Sequence, residues 1–393
     1  MKATITYHVN SQKIIGYYKQ VLSDSILEDI CLRVTGQRSY VRNEIQDGYN
    51  KGRLIIVEYG NSKFYVTLSE IKIGGRNSSM QSVPTALNIY FQDIYPNKSL
   101  SYYFMPNIIG NAYTDYHIAY YKLLSTAGVN FLNFCTAYDL SPYSSIEELI
   151  LDRDSNRNAN RSNNSSYVTK DLGRVQVYAK TYGASKYEST LLGIATSKLV
   201  GKNSPKIQLY NINERDLKRL PNSSIKTLEA LGNIEILDTN YTMEKNKFIE
   251  GGFQSLRSPI YAYHLLQRLG HKHCAFCGCE IPDIIQGAHI WGISQIKESA
   301  LSIEDKFNHA VNGHNGLWLC SNHHKLFDSN ILQLDSYGNI NVRSEIPASD
   351  KDFIRDITTF KRISQEILSP EFIGYVNMRN SSIPNWQYCS LSM

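Results

Sequence analysis

The sequence predicts an α+β protein in which a broad amino-terminal region precedes a small, metal-braced unit. Two observations carry this prediction. Through the first 250 or so residues, short apolar runs bounded by turn residues alternate with segments of helical spacing. Then cysteine and histidine crowd together: four of the seven cysteines and eight of the ten histidines fall between His264 and His324. Chance does not gather the two best zinc-binding side chains in this way.

The bulk numbers set wide bounds. A chain of 393 residues has room for two or three domains, each with its own core. A net charge of +5 is a mild bias toward polyanions and identifies no partner by itself. The 28 tyrosines suit either half-exposed strands or wet interfaces. No 18-residue apolar stretch or signal-peptide core is present, and the cysteine count is odd. The expectation is a cytoplasmic protein without a membrane span. No GxxxxGK[ST] loop, helix-turn-helix, zinc finger or heptad pattern is evident, which removes the P-loop ATPase class and the common DNA-binding modules.

Taken in order, Tyr17 to Val34 has helical spacing. Arg53 to Val57 and Lys63 to Leu68 read as strands joined at Gly60-Asn61-Ser62. Pro84 opens a helix after the loop that begins at Gly74-Gly75, and Tyr113 to Gly128 reads as another helix. Residues 153–166, rich in Asn, Ser and Arg, cannot bury a core and read as a loop or linker. Arg174 to Lys180 and Thr190 to Ala195 read as strands, and Ile225 to Leu231 as a helix ended by Gly232. Ser258 to Gly270 reads as a helix with Pro259 in its first turn and Gly270 past its end. Ile331 to Leu334 and Asn339 to Val342 form a hairpin, and Asp350 to Leu368 a closing helix.

Cys274-Ala-Phe-Cys277 and Cys320-Ser-Asn-His323 are two short-spaced ligand pairs separated by 42 residues. Each turn aims two donors at one ion, so Cys274, Cys277, Cys320 and His323 make a closed Cys₃His zinc site of the structural kind. Cys279 is a spare thiol that could replace Cys277; the more economical reading leaves it unligated. His271 and His273 are read as neighbours of the site or surface residues.

Between and just after these pairs come Gly287-Ala288-His289-Ile290, then His314-Asn315-Gly316-Leu317-Trp318-Leu319-Cys320, then His323-His324-Lys325-Leu326-Phe327-Asp328. The order His, Asn, His in register with the zinc pairs resembles the HNH (ββα-metal) nuclease family, especially members with AHI, NGLxLC and HHxLFD motifs. The resemblance covers about 60 to 70 residues and implies a zinc-braced ββα-metal nuclease domain.

The chemistry is legible in the residue types. His289, at the end of an apolar strand, can act as a general base because a neutral imidazole titrates near the working pH. Asn315 fits the family's middle residue, where its amide would orient the base imidazole or hold the loop. His324 and Asp328 stand four apart on a helix, share a face and can converge on one divalent ion. A hard carboxylate oxygen suits Mg²⁺ or Mn²⁺. Many family members carry an Asp before the base histidine as a metal ligand. Here Ala288 stands in its place, so His324 and Asp328 serve alone or with another group such as His314 or His309. Taken one at a time, a core histidine, a turn Asn and a helix-terminal Asp explain the residues better than catalytic roles do; their shared register with the zinc ligands argues for the site.

The expected organisation is a target-recognition region over 1–255, the nuclease domain over 256–345 and a helical extension over 346–393. The whole resembles an HNH-type, Type II-like restriction endonuclease, which implies double-stranded DNA as substrate and a homodimer that meets two strands of a palindrome. Arg76, Gln81, Arg157 and Arg161 have side chains suited to base or phosphate contacts in polar loops. Three other readings stand beside this one: a modification-dependent nuclease that holds a flipped base among amino-terminal aromatics, a non-catalytic zinc module that binds DNA, and a second nuclease centre near Gln176, Lys180 and Glu188.

Overall fold

The computed structural model describes residues 1–9, 22–46, 54–73, 83–110, 114–134, 137–155, 166–180, 185–201, 207–213, 220–251 and 258–391. They divide into two compact units. The first comprises Met1–Ser166, Ala179–Leu209 and Lys218–Leu237; the second comprises Tyr167–Tyr178, Tyr210–Leu217 and Asp238–Met393.

The first unit is built on a six-stranded sheet of β1 (Ala3–His8), β2 (Tyr40–Ile45), β3 (Leu54–Tyr59), β4 (Ser62–Leu68), β6 (Lys98–Tyr103) and β8 (Val129–Leu132), in the order β2-β1-β3-β4-β6-β8. The two-residue strands β5 (Lys72–Ile73) and β7 (Ile109–Gly110) pair beside it. β3 and β4 form the expected hairpin across Gly60, whose φ of 59° needs a residue without a Cβ penalty. The parallel pairs need crossovers, and helices supply them. α1 (Asp24–Thr35) leads from β1 to β2, α2 (Val83–Gln92) precedes β6, and α3 (Asp115–Thr126) joins β6 to β8. α1 starts where the Ser23 side chain accepts from the Ile26 N–H, and it ends at Gly36. Its buried Leu27 and Ile30 meet Ile5, Val57, Val66 and Leu68 of the sheet.

Three further helices follow in this unit: α4 (Ile146–Ser155), α5 (Ser185–Val200) and α6 (Asn222–Ala230). α5 corrects the strand expected at Thr190 to Ala195. Thr190, Leu191, Leu192, Ile194, Ala195 and Thr196 are all buried, so the helix that carries the apolar run Leu191 to Ala195 is covered nearly all round. A continuous apolar run of that kind carries no period that separates strand from buried helix. Strands β9 (Ser166–Asp171), β10 (Arg174–Lys180), β11 (Ile207–Asn213) and β12 (Ile234–Asn240) form a sheet in the order β12-β11-β10-β9.

The second unit holds α7 (Tyr241–Glu250), α8 (Pro259–Leu269), β13 (Ile285–His289), α9 (Ile293–Glu298), α10 (Ile303–Val311), β14 (Gly316–Cys320) and α11 (Ser321–Asp328). It continues with β15 (Leu332–Leu334), β16 (Ile340–Arg343), α12 (Ala348–Ile357), α13 (Pro370–Ser382) and β17 (Tyr388–Ser390). α8 has the expected signals: Ser258 accepts from the Ile260 N–H, Pro259 fills the first turn, and Gly270 follows with φ 82°. β13 and β14 pair antiparallel with His289 opposite Gly316, and β14 runs directly into α11. The ββα order that the motifs imply is therefore present.

Two expectations about organisation change. The unit that holds the Cys/His window begins before residue 256, because Tyr167, Tyr178 and Ile212 share its core with Tyr263, Leu265 and Phe276. Residues 346–393 are part of that core as well: Phe372, Tyr375, Val376 and Leu391 are buried in it, and β17 pairs with β16. The single helix expected over Asp350 to Leu368 is α12 alone, followed by a turn and then by α13 with its own Ser369 cap and Pro370. No described helix is long and apolar enough to cross a membrane.

Candidate active site

The zinc pairs close on one another across the ββα unit. Cys274, Cys277, Cys320 and His323 place one donor atom each within 4.8 Å of all the others. The separations are 3.9 Å for Cys277 Sγ to Cys320 Sγ, 3.4 Å for Cys274 Sγ to His323 Nδ1 and 3.2 Å for Cys320 Sγ to His323 Nδ1. Zinc–ligand bonds of about 2.0–2.3 Å at tetrahedral angles require donor separations of roughly 3.5–3.8 Å, so the cluster fits zinc. The other ring nitrogen supports the assignment. His323 Nε2 lies 3.1 Å from Thr358 Oγ1, a fully buried hydroxyl, and that contact fixes which nitrogen is left for the ion. Cys279 stays outside the cluster; its carbonyl accepts from the Cys274 N–H.

His289 ends β13. Its Nε2 donates to the Ala310 carbonyl at 2.8 Å, and its ring stacks on Tyr261 with centroids 4.0 Å apart and planes 11° off parallel. In the neutral tautomer selected this way, the lone pair is on Nδ1. Burial pushes the imidazole pKa down to about 4, the Ala310 carbonyl opposes this, and His324 adds to it. His289 is therefore neutral at pH 7.

Tyr261 reaches this position because the strands beneath it lack side chains. A Cβ on Gly287 would meet Leu265 Cδ1 at 2.6 Å, and one on Gly316 would run into the Tyr261 hydroxyl. The glycines of the first two motifs thus let α8 lie flat on the β13–β14 pair. The Tyr261 hydroxyl donates to the Ala288 and Asn315 carbonyls at 3.2 and 3.3 Å.

Asn315 is fully buried, and its side chain makes its hydrogen bonds to main-chain groups and not to the His289 ring. Its Oδ1 accepts from the Trp291 N–H at 2.7 Å, while its amide donates to the Trp291 and His309 carbonyls at 3.1 Å each. Of the two roles expected for it, the geometry is that of holding the loop. Orientation of the imidazole comes from the Ala310 backbone and from Tyr261.

On α11, His324 Nε2 and Asp328 Oδ2 are 3.4 Å apart. An octahedral ion with bonds of about 2.1 Å holds adjacent ligands roughly 3 Å apart, so this pair fits one divalent cation. Neither His314 nor His309 joins them: His314 Nδ1 is paired with Ser369 Oγ, and His309 Nδ1 with the Tyr375 hydroxyl, both at 2.8 Å. Ala288 is buried in the core.

His289, His324 and Asp328 line one cavity of about 600 Å³, along with Tyr261, Gln286, Trp318, Arg379 and residues of β9 and β10. Arg379, from α13, donates to the Ile290 carbonyl at 3.1 Å and to Asn330 Oδ1 at 2.7 Å, and it also reaches the Phe327 carbonyl. One guanidinium thus ties the end of the His289 strand to the end of the His324 helix.

Arg76, Gln81, Arg157 and Arg161 lie outside the described residues. Arg153, in the same polar stretch, is no surface contact: it is buried on α4, binding the Ser166 carbonyl and Glu188. Glu188 is correspondingly closed within this ion pair, and Gln176 accepts from the Tyr178 hydroxyl. Sequence reasoning missed Tyr261, Thr358 and Arg379. Only Tyr261 had a local signal, in the unexplained glycines opposite it.

The ββα unit thus joins a Cys₃His cluster that fits zinc to a cavity lined by a buried imidazole and a His/Asp donor pair. Residues 274–335 match the family model described as HNH endonuclease, and this segment is an HNH endonuclease domain. No curated protein matches the chain.

Proposed function

We propose that the chain is a site-specific endonuclease of double-stranded DNA, of the restriction type, acting as a homodimer. The observation that carries the reading is the state of His289. One ring nitrogen is fixed by the Ala310 carbonyl, and the ring lines the cavity that His324 and Asp328 also line. Nδ1 accepts the proton of a water molecule as its oxygen attacks phosphorus and the sugar oxygen departs. The low pKa keeps this nitrogen unprotonated before substrate arrives. The negative charge of a bound phosphate raises it toward the range where a base works best. Mg²⁺ or Mn²⁺ held by His324 and Asp328 would supply Lewis-acid stabilisation of the charge on the phosphate. Tyr261 and Asn315 keep the imidazole and the following loop in place, and zinc at the Cys₃His cluster braces the strands.

The test incubates the purified protein with unmethylated phage DNA and Mg²⁺, beside an EDTA control and His289→Ala. Discrete fragments from the wild type, with activity reduced at least about 100-fold in His289→Ala at unchanged zinc content, are expected. Fragments only from methylated DNA would replace the restriction reading by a modification-dependent one. Equal cleavage by wild type and variant would remove His289 from the mechanism.

A further inference from the structure

The catalytic cavity has a second wall, and no step of hydrolysis uses it. Thr169 and Asp171 of β9, Gln176 and Tyr178 of β10, and Tyr210 of β11 line the same space as His289 and Asp328. Within each of β9 and β10 the two lining residues are two positions apart, which places them on one face of the strand.

The chemistry of this wall is wrong for a phosphate. Its aspartate, with a side chain about 30% exposed, is pinned by Lys272, whose Nζ donates to Asp171 Oδ1 and to the Lys170 carbonyl, both at 3.0 Å. Lys272 lines the cavity too, but its ammonium, on a side chain 8% exposed, is committed to these two oxygens, so the paired charges give a phosphodiester backbone no net attraction. Asp171 is not a third catalytic metal ligand either, since among the described residues the only three-donor cluster is Cys274, Cys277, Cys320 and His323. What a carboxylate in such a place does accept is the amino group of a base. Beside it, Tyr178 and Tyr210 stack with centroids 5.0 Å apart and planes 18° off parallel, and the Tyr178 hydroxyl is anchored on Gln176. Stacked rings extend naturally to a further flat ring. A cavity of about 600 Å³ falls within the roughly 300–1,000 Å³ of small-molecule sites, with room for a nucleotide.

We infer that this wall is a base subsite: Asp171 accepts the exocyclic amino group of a cytosine or adenine next to the scissile phosphate, and Tyr210 packs against that base. The subsite rests on the nuclease reading of the same cavity and adds to it a residue that sets sequence preference.

The experiment uses the full chain and a pool of duplexes randomised around a fixed core. It is run with Mg²⁺, reading the sequences of cut ends, and separately with Ca²⁺, reading the sequences of bound duplexes. Wild type is expected to enrich cytosine or adenine at one position. Asp171→Ala should lose that enrichment by about tenfold or more, and Tyr210→Ala should weaken binding about fivefold or more across the pool. Zinc content and Tm check that the variants are folded; where Asp171→Ala is not, Asp171→Asn, which can still accept from Lys272, decides by an altered base at the same position. An Asp171 variant with the wild-type base profile, or a wild type with no base preference in either format, overturns the subsite. Base selection in Ca²⁺ that depends on Asp171, with no cutting in Mg²⁺, would uphold the subsite and sink the nuclease reading instead.

Discussion

His323 and His289 show how much of this site is set by groups that carry no motif. Each imidazole was legible as a functional residue from spacing, yet the partner that fixes its tautomer is a buried hydroxyl in one case and a main-chain carbonyl in the other. Neither partner leaves a local sequence signal, because Thr358 is 35 residues from His323 and a carbonyl belongs to any residue. Thr358→Val removes the hydrogen bond while nearly preserving shape. It should raise the zinc dissociation constant about 10–100-fold, read by competition with a colorimetric chelator. His117 supplies a prediction of a different kind. It is buried on α3, with Nδ1 2.6 Å from the Thr114 hydroxyl, and burial lowers its pKa to about 4. Between pH 6.5 and 4 the unfolded chain takes up a proton there that the folded chain refuses. The folded state should therefore keep the full contribution above pH 6.5 and lose up to about 3 kcal/mol as pH falls toward 4. Denaturant titrations at pH 7 and 4.5 should show this loss, and His117→Gln should shrink it.

Elements were read well where they carried their own punctuation. The β3–β4 hairpin, α8 and the ββα order all have turn residues, caps or ligand spacing in the right places. α5 was misread because its apolar residues run without period. α13 was missed although Ser369-Pro370-Glu371 is a start signal, since the window before it was taken as one long helix. The packing of α8 on β13 and β14 sits between these cases: the glycines were visible, but their use was not until Tyr261 stood above them. Gly316→Ala tests that use. The new methyl meets the Tyr261 ring and the Leu265 side chain, both buried in the core of this unit. The cost should be about 1–3 kcal/mol. Displacement of Tyr261 should also free the His289 ring stacked on it, so cleavage should fall more than stability does. A variant with normal cleavage in a destabilised protein would show that the stack does not position the base.

At the scale of the molecule, the division into recognition and cutting regions was placed by chain position, whereas the chain itself is interleaved. Residues 167–178 and 210–217 leave the first unit to join the second, and composition alone does not mark such excursions. The two cores are nonetheless distinct. One gathers Ile5, Leu27, Val57 and Val66; the other gathers Leu265, Phe276, Leu317, Leu319 and Phe327 around the Cys₃His cluster. Structural zinc contributes about 10–16 kcal/mol to zinc-finger peptides, as much as the whole stability of an ordinary domain. Stripping it should therefore open the second core while the first, which contains no ligand, stays closed. Hydrogen exchange followed by peptide is the suitable readout. Peptides spanning β13, β14 and α11 should lose protection on chelation and regain it when zinc is returned, and those spanning β1, β3 and β4 should change little. Uniform loss of protection across both sets would mean that the zinc cluster supports the entire chain, and unchanged protection at β14 would mean that Cys274, Cys277, Cys320 and His323 hold no structural ion.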